Sequence, residues 1–223
     1  MNQSFKLQDR RSTLPPKWSA PAATAPLSDL WKGLADVKVS CASSACSHEL
    51  HCFRLTKKLA ASLTPGTCRE CKQSLVLMRR VAERDLADVD YTFESLQREF
   101  IRHYFWHVPF GEKALNYAYR AGWEELEKRV PRQLRTRIGK ANPAYDGRQT
   151  PLKLEKANAI DLGMHAVAAC CRRCVEYWHG IERGRELTTN EVEYLTELVL
   201  KFLHARLPSL ERSPVQSAAE ENE

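Results

Sequence analysis

The sequence predicts a mainly α-helical fold with a small cysteine-rich module on its N-terminal side. Three observations carry this. Apolar residues recur at helical spacing over much of residues 88–208. Thr188 and Glu191 stand at capping-box spacing ahead of the stripe Val192, Leu195, Val199 and Phe202. Five cysteines and two histidines crowd into residues 37–77, at spacings that suit a metal better than a disulfide.

Residues 1–36 read as a disordered arm, because Pro15, Pro16, Pro21 and Pro26 sit among Ser, Ala and Thr. Residues 37–80 form the cysteine-rich module. Its pattern is C-x4-C-x-H-x2-H-C, then fifteen residues, then C-x2-C. Cys68 and Cys71, in PGTCREC, are the strongest pair, since one tight turn can present both thiolates to a tetrahedral ion. Cys41 and Cys46 complete a four-cysteine zinc site, with His48, His51 and Cys52 as alternates. The short apolar runs VKVSC, LHCFRL and SLVLMRRV suggest two or three strands, so the module is expected to be zinc-ribbon-like. So small a core rarely stands unaided, which makes the metal part of its folding energy.

Residues 88–208 form the helical domain. Leu96, Phe100 and Tyr104 repeat at four, and Pro109 and Gly111 then break the pattern. Ala114, Ala118, Ala121 and Leu126 predict a second helix, interrupted at Pro131. Residues 141–157 are rich in turn formers. A third helix is expected from about Ala159 to Tyr177, ending near Gly180, and the capped fourth stops at Pro208. Residues 209–223 are expected to fray as an acidic tail.

The third helix carries a second cluster, MHAVAACCRRCVEYWHG. On an unbroken helix Cys170, Cys171 and Cys174 fall within an arc of about 100°. Cys171 and Cys174 are the leading candidates for a second zinc ion, with His165 and His179 usable if the helix breaks near them. His103 and His107 stand at i and i+4 and offer another pair of ligands, although an aromatic-rich helix can also simply pack them. Arg172 and Arg173 could lower a neighbouring thiol pKa or bind phosphate.

The net charge is +6. Much of the excess lies in KRVPRQLRTRIGK, where Arg129, Arg132, Arg135 and Arg137, with Arg148 beyond, suit phosphate contacts. The leading functional reading is a zinc-binding accessory protein that touches nucleic acid through this surface. An enzyme is the alternative, with His165, Cys170 and Cys171 beside the loop Asp146, Gly147, Arg148, Gln149 and Thr150. A protein-interaction adaptor docking through the zinc module is the third. The sequence holds no phosphate-binding Gly-rich loop, hydrolase elbow or HExxH. No run approaches the roughly 20 apolar residues of a membrane span. The first residues carry no signal-like apolar stretch, so the expected location is cytoplasmic.

The segments NPAYDGRQTP, HAVAACCRRCVEYWHGI and GRELTTNEVEYL resemble a bacterial family of domains of unknown function. Asp146, Gly147, Gln149, Thr150, Pro151, His165, Cys170, Cys171, Arg172, Cys174, Trp178 and His179 match its motifs. Arg148 stands where that family usually has lysine, and Val167 and Ala169 where it has threonines. The resemblance covers about residues 92–207 and brings no activity with it.

Overall fold

The structure is a computed structural model, and it describes residues 39–143, 146, 153–208 and 210. The expected arm at 1–36, Arg148, and the tail at 209–223 apart from Leu210 lie outside the described residues.

The protein is mainly helical, with a cysteine-rich cluster on its N-terminal side. The helices are α1 (Lys57–Ala60), α2 (Met78–Glu83), α3 (Val89–Leu96), α4 (Phe100–His107), α5 (Glu112–Leu134), α6 (Ala159–Ala166), α7 (Arg172–His179) and α8 (Thr189–Arg206). Helix α8 lies against α3, α5 and α6, while α6 also packs on α4 and α5. Leu195, Leu198, Val199 and Phe202 on α8 meet Ile160 and Leu162 in one core, and all are fully or almost fully buried.

Three expectations about local structure are corrected. The module was expected to hold two or three strands. Among the described residues it holds only isolated bridges, Ala45–Leu50, Thr67–Ser74 and His51–Glu99. The run SLVLMRRV passes directly into α2, and LHCFRL pairs at Leu50 with Ala45 and at His51 with the start of α4, where the His51 amide donates to Arg98 O and the Phe100 amide to His51 O. The expected interruption at Pro131 does not occur. Helix α5 runs through it with Leu126, Val130 and Leu134 fully buried, so core packing outweighs the lost hydrogen bond. The kink is instead at Gly122, whose φ of 69° is open to a residue without Cβ. A wide π turn, Arg135–Gly139, finishes the helix.

The third correction matters most for the site. The helix expected over 159–177 is two helices. Ala168 takes a left-handed φ of 56°, and Cys171 is extended as the N-cap of α7. Cys170 and Cys171 therefore sit in the break. Asp146 stabilises the restart, since its Oδ1 accepts the Arg172 amide at 2.6 Å.

The capping box forms as the spacing predicts. The Thr188 Oγ1 accepts the Glu191 amide, and the Glu191 carboxylate accepts the Thr188 amide. Arg185 adds a two-pronged ion pair, 2.8 and 2.5 Å. That pair holds the Glu191 carboxyl at about 2, with help from the Thr188 amide, against the opposing effect of burial. Because the folded value lies below the ordinary 4.5, the contribution is present above that value and lost as pH falls towards 2. Glu191→Gln should cost about 1–2 kcal/mol at neutral pH, discounted because Arg185 is half in solvent. In urea titrations, the difference from wild type should close between pH 4.5 and 2. A difference that stays constant over that range would refute the assignment.

Candidate metal centre

Two groups of ligand atoms converge among the described residues, each within 4.8 Å of one another: Cys46, His51, Cys68 and Cys71, and Cys170, Cys171 and Cys174. None of the eight cysteines is in a disulfide.

The first group is built by two turns. The bridge Ala45–Leu50 closes one, and the left-handed Glu49 (φ 58°) turns the chain so that His51 rather than His48 faces inward. The bridge Thr67–Ser74 closes the other. Gly66 lets these segments meet: its carbonyl accepts both the Leu75 and Val76 amides, and a Cβ there would be driven into the Val76 carbonyl. The spacings suit a tetrahedral ion. Cys46 Sγ lies 3.7 Å from Cys68 Sγ, against an edge of about 3.8 Å for thiolates at metal–sulfur distances near 2.3 Å. Cys71 Sγ lies 3.5 Å from His51 Nδ1, against about 3.6 Å for a mixed sulfur–nitrogen edge. The other ring nitrogen, His51 Nε2, faces Glu49 at 3.6 Å, the place of a carboxylate that orients a ligating imidazole.

The thiols differ in readiness. Burial opposes ionisation of Cys68, but hydrogen bonds to backbone of Cys52, Cys71 and Glu70, with His51, bring it down to about 6. Burial and the Cys68 thiol push Cys46 up to about 11. Of the other candidates, Cys52 is fully buried, donates to Cys41 O at 3.6 Å and is pushed up to about 11 by burial and by Glu99. The exposed His48 bonds to Ser47 Oγ at 3.0 Å. Cys41 is not in this group. It borders the second one, lining a cavity of about 50 Å³ with Cys171, Cys174, Glu99 and Arg102.

The second group has a partner that the sequence did not single out. Arg102 is 1% exposed, and its Nη2 lies 3.5 Å from Cys174 Sγ and its Nη1 3.9 Å from Cys170 Sγ. Its Nη1 also donates to His165 O, and its Nε to Glu99 Oε2 at 3.0 Å. Glu99 in turn accepts from Tyr177 OH at 2.9 Å and Trp178 Nε1 at 2.6 Å. Burial disfavours the guanidinium charge, yet Cys174, Glu99 and Cys170 hold it protonated. Among the thiols, Cys171 is pulled far down by hydrogen bonds from Cys170 and Cys174. Cys170 is pushed up to about 12, chiefly by Cys171.

None of the four histidines considered for this group places a ring nitrogen within 4.8 Å of all three thiols. The His103 and His107 rings meet each other at 4.2 Å, tilted by 41°, on a different face of α4 from Arg102. Both nitrogens of His179 are engaged, Nε2 with Val167 O at 3.0 Å and Nδ1 with Tyr194 OH at 3.2 Å. The His165 ring lies on Phe105 at 4.4 Å, and burial and Arg102 push it down to about 3. With Cys170, Arg137, Lys153 and Lys156 it lines a cavity of about 190 Å³.

The arginine surface divides. Arg132 and Arg135 are exposed. Arg129 pairs with Glu125 at 3.4 Å and covers the Tyr117 ring, and Arg137 pairs with Asp161 at 3.7 Å. Arg172 is buried, donating to Ile138 O and Glu182 O, so its side chain is a structural clamp. No helix among the described residues is long and apolar enough to cross a membrane.

No solved structure matches the chain. Residues 90–204 match a domain of unknown function, DUF4186, and since that match covers more than half of the chain, the protein belongs to this family.

Proposed function

We propose that this is a zinc-stapled accessory protein of the cytoplasm that contacts the phosphate backbone of nucleic acid. Zinc at Cys46, His51, Cys68 and Cys71 would lock together the two turns of the N-terminal module, and a second ion at the helical cysteines would fix the break ahead of α7. The observation that carries the metal reading is the agreement of the 3.7 and 3.5 Å spacings with tetrahedral edges. Cysteines gathered at metal-ligand spacings fit a reducing compartment.

The nucleic-acid half rests on the basic end of α5. Arg132 and Arg135 are exposed there, and Arg137, Lys153 and Lys156 ring the adjacent cavity. Such a cluster fits phosphodiester oxygens without reading bases. Fluorescence anisotropy with random-sequence duplex DNA and RNA over a salt series tests it. Each phosphate contact should add about 0.9 to the slope of log affinity against log salt for duplex DNA. The variant Arg132→Ala/Arg135→Ala should lower that slope by roughly 2. Absence of binding, or a slope untouched by the variant, would remove nucleic acid as the partner.

The enzyme reading draws on the same cavity, where His165 and Cys170 both line the wall. Its support is weaker. With Cys170 held up near 12 and His165 down near 3, the pair is not set up as a thiolate with its base at neutral pH.

A further inference from the structure

We propose that Cys41 is the fourth ligand of the helical cluster, so that Cys41, Cys170, Cys171 and Cys174 form an all-thiolate site for a zinc-like divalent ion. This deepens the two-ion reading above and rests on it. Cys41 and Cys174 face one small cavity, and each is among the other's close neighbours: Cys41 is one of the groups that hydrogen-bond to the Cys174 thiol and one of the charges acting on Arg102.

Elimination narrows the fourth donor to Cys41 and His165, and only Cys41 shares the Cys174 cavity. A closed tetrahedral site needs four donors, and the helical break supplies three. His179 has both nitrogens engaged, the His103 and His107 rings meet each other at 4.2 Å, and His165, whose Nδ1 has no hydrogen-bond partner, lines a different cavity, with Cys170 and not with Cys174. The first group already has its four ligands without Cys41. The chain around Cys41 is shaped for presentation. Ser40 and Ser43 close a turn through the Ser43 amide to Ser40 O and the Ser40 amide to Ser43 Oγ, and the Cys52 thiol donates to the Cys41 carbonyl. Arg102, with N–H groups on Cys174 and Cys170, would disperse the charge that four thiolates accumulate.

One consequence follows for the architecture. The segment from Cys41 to Cys46 would run from one ion to the other. A break between two helices late in the chain would be tied to the first described residues through a metal as well as through the core on which Val39 and Cys41 pack.

The test is zinc quantification on the full-length protein, with competition by a chromophoric chelator, for wild type, Cys41→Ser, Cys174→Ser and the double variant. Wild type should hold two equivalents. Cys41→Ser and Cys174→Ser should each weaken one of them, by more than the roughly 10–100-fold that loss of a supporting residue costs. The double variant should weaken that same single equivalent and leave the other at wild-type affinity. Cobalt-loaded Cys41→Ser should also show one thiolate fewer in its sulfur-to-metal charge-transfer absorption. If Cys41→Ser keeps both equivalents at wild-type affinity, the assignment falls. If the double variant loses both, Cys41 serves the first site and the assignment also falls. A wild type holding only one equivalent would instead end the two-ion reading itself, and the fourth ligand with it.

Discussion

Arg102→Met should lower the stability of the protein by about 3–5 kcal/mol, the largest effect expected of any single substitution outside the cysteines. The reason lies in what the guanidinium leaves behind. Glu99 is 1% exposed and would be left without a cation, with only Tyr177 and Trp178 as donors. The His165 carbonyl and two sulfurs would lose the arginine's N–H groups in the same step. Lysine should rescue little, because one ammonium cannot reach in a fixed plane to groups that the arginine fork serves together. Arg102→Met/Glu99→Gln should recover part of the loss, since the isolated buried charge is then gone. Urea unfolding of the four proteins measures this. A loss below about 1 kcal/mol for Arg102→Met would mean that the network is solvated and the description of it mistaken.

Removal of the first metal should have a comparable effect, concentrated at one end of the molecule. Binding energies of structural zinc in small domains are of order 10 kcal/mol. Here part of the module is also held by its own core, including Phe53 edge-on to Trp178 at 5.8 Å. Chelation at neutral pH, or Cys68→Ser, should therefore lower the melting temperature by roughly 10–20 °C, as a loss of about 5 kcal/mol does in a chain of this size. Trypsin should then cut first at Lys57, Lys58 and Arg69, residues of the module, while α5 and α8 stay protected. An unchanged melting curve with chelator, together with an unchanged digest, would show that the module stands without metal.

The parts of this fold that were legible in the sequence are those whose cause is local. The Cys68–Cys71 pair needs one turn, the Thr188–Glu191 box needs three residues, and Gly180 ends α7 in a left-handed cap as helices often do. What escaped was decided at a distance or against propensity. The choice of His51 over His48 depends on a positive φ at Glu49, which composition does not announce. The break before α7 turns on Ala168, an alanine in a conformation alanine rarely adopts. Arg102 sits inside FIRHYFWH, where the two histidines at i and i+4 draw attention, yet the carbonyl and the two thiols it serves lie 63 to 72 positions away. Cys41 reads naturally with Cys46, its neighbour in sequence, while the fold sets it beside Cys174.

Helix α8 closes the structure from the far end. Its last residue, Arg206, donates to the Trp106 and Val108 carbonyls at the end of α4 and stacks over Phe110. A chain made from its N-terminus folds as it emerges, and contacts across short separations form soonest. The ligands of the first site are only 20 to 22 positions apart in their close pairs, so that site can assemble while synthesis is under way. The helical cysteines must wait for α4 and α7 to meet, and α4 is clamped only when residue 206 has arrived. Between those moments their thiols stand open to oxidants, which sets a kinetic demand on the cell: the nascent chain must be kept reduced until its final helix docks.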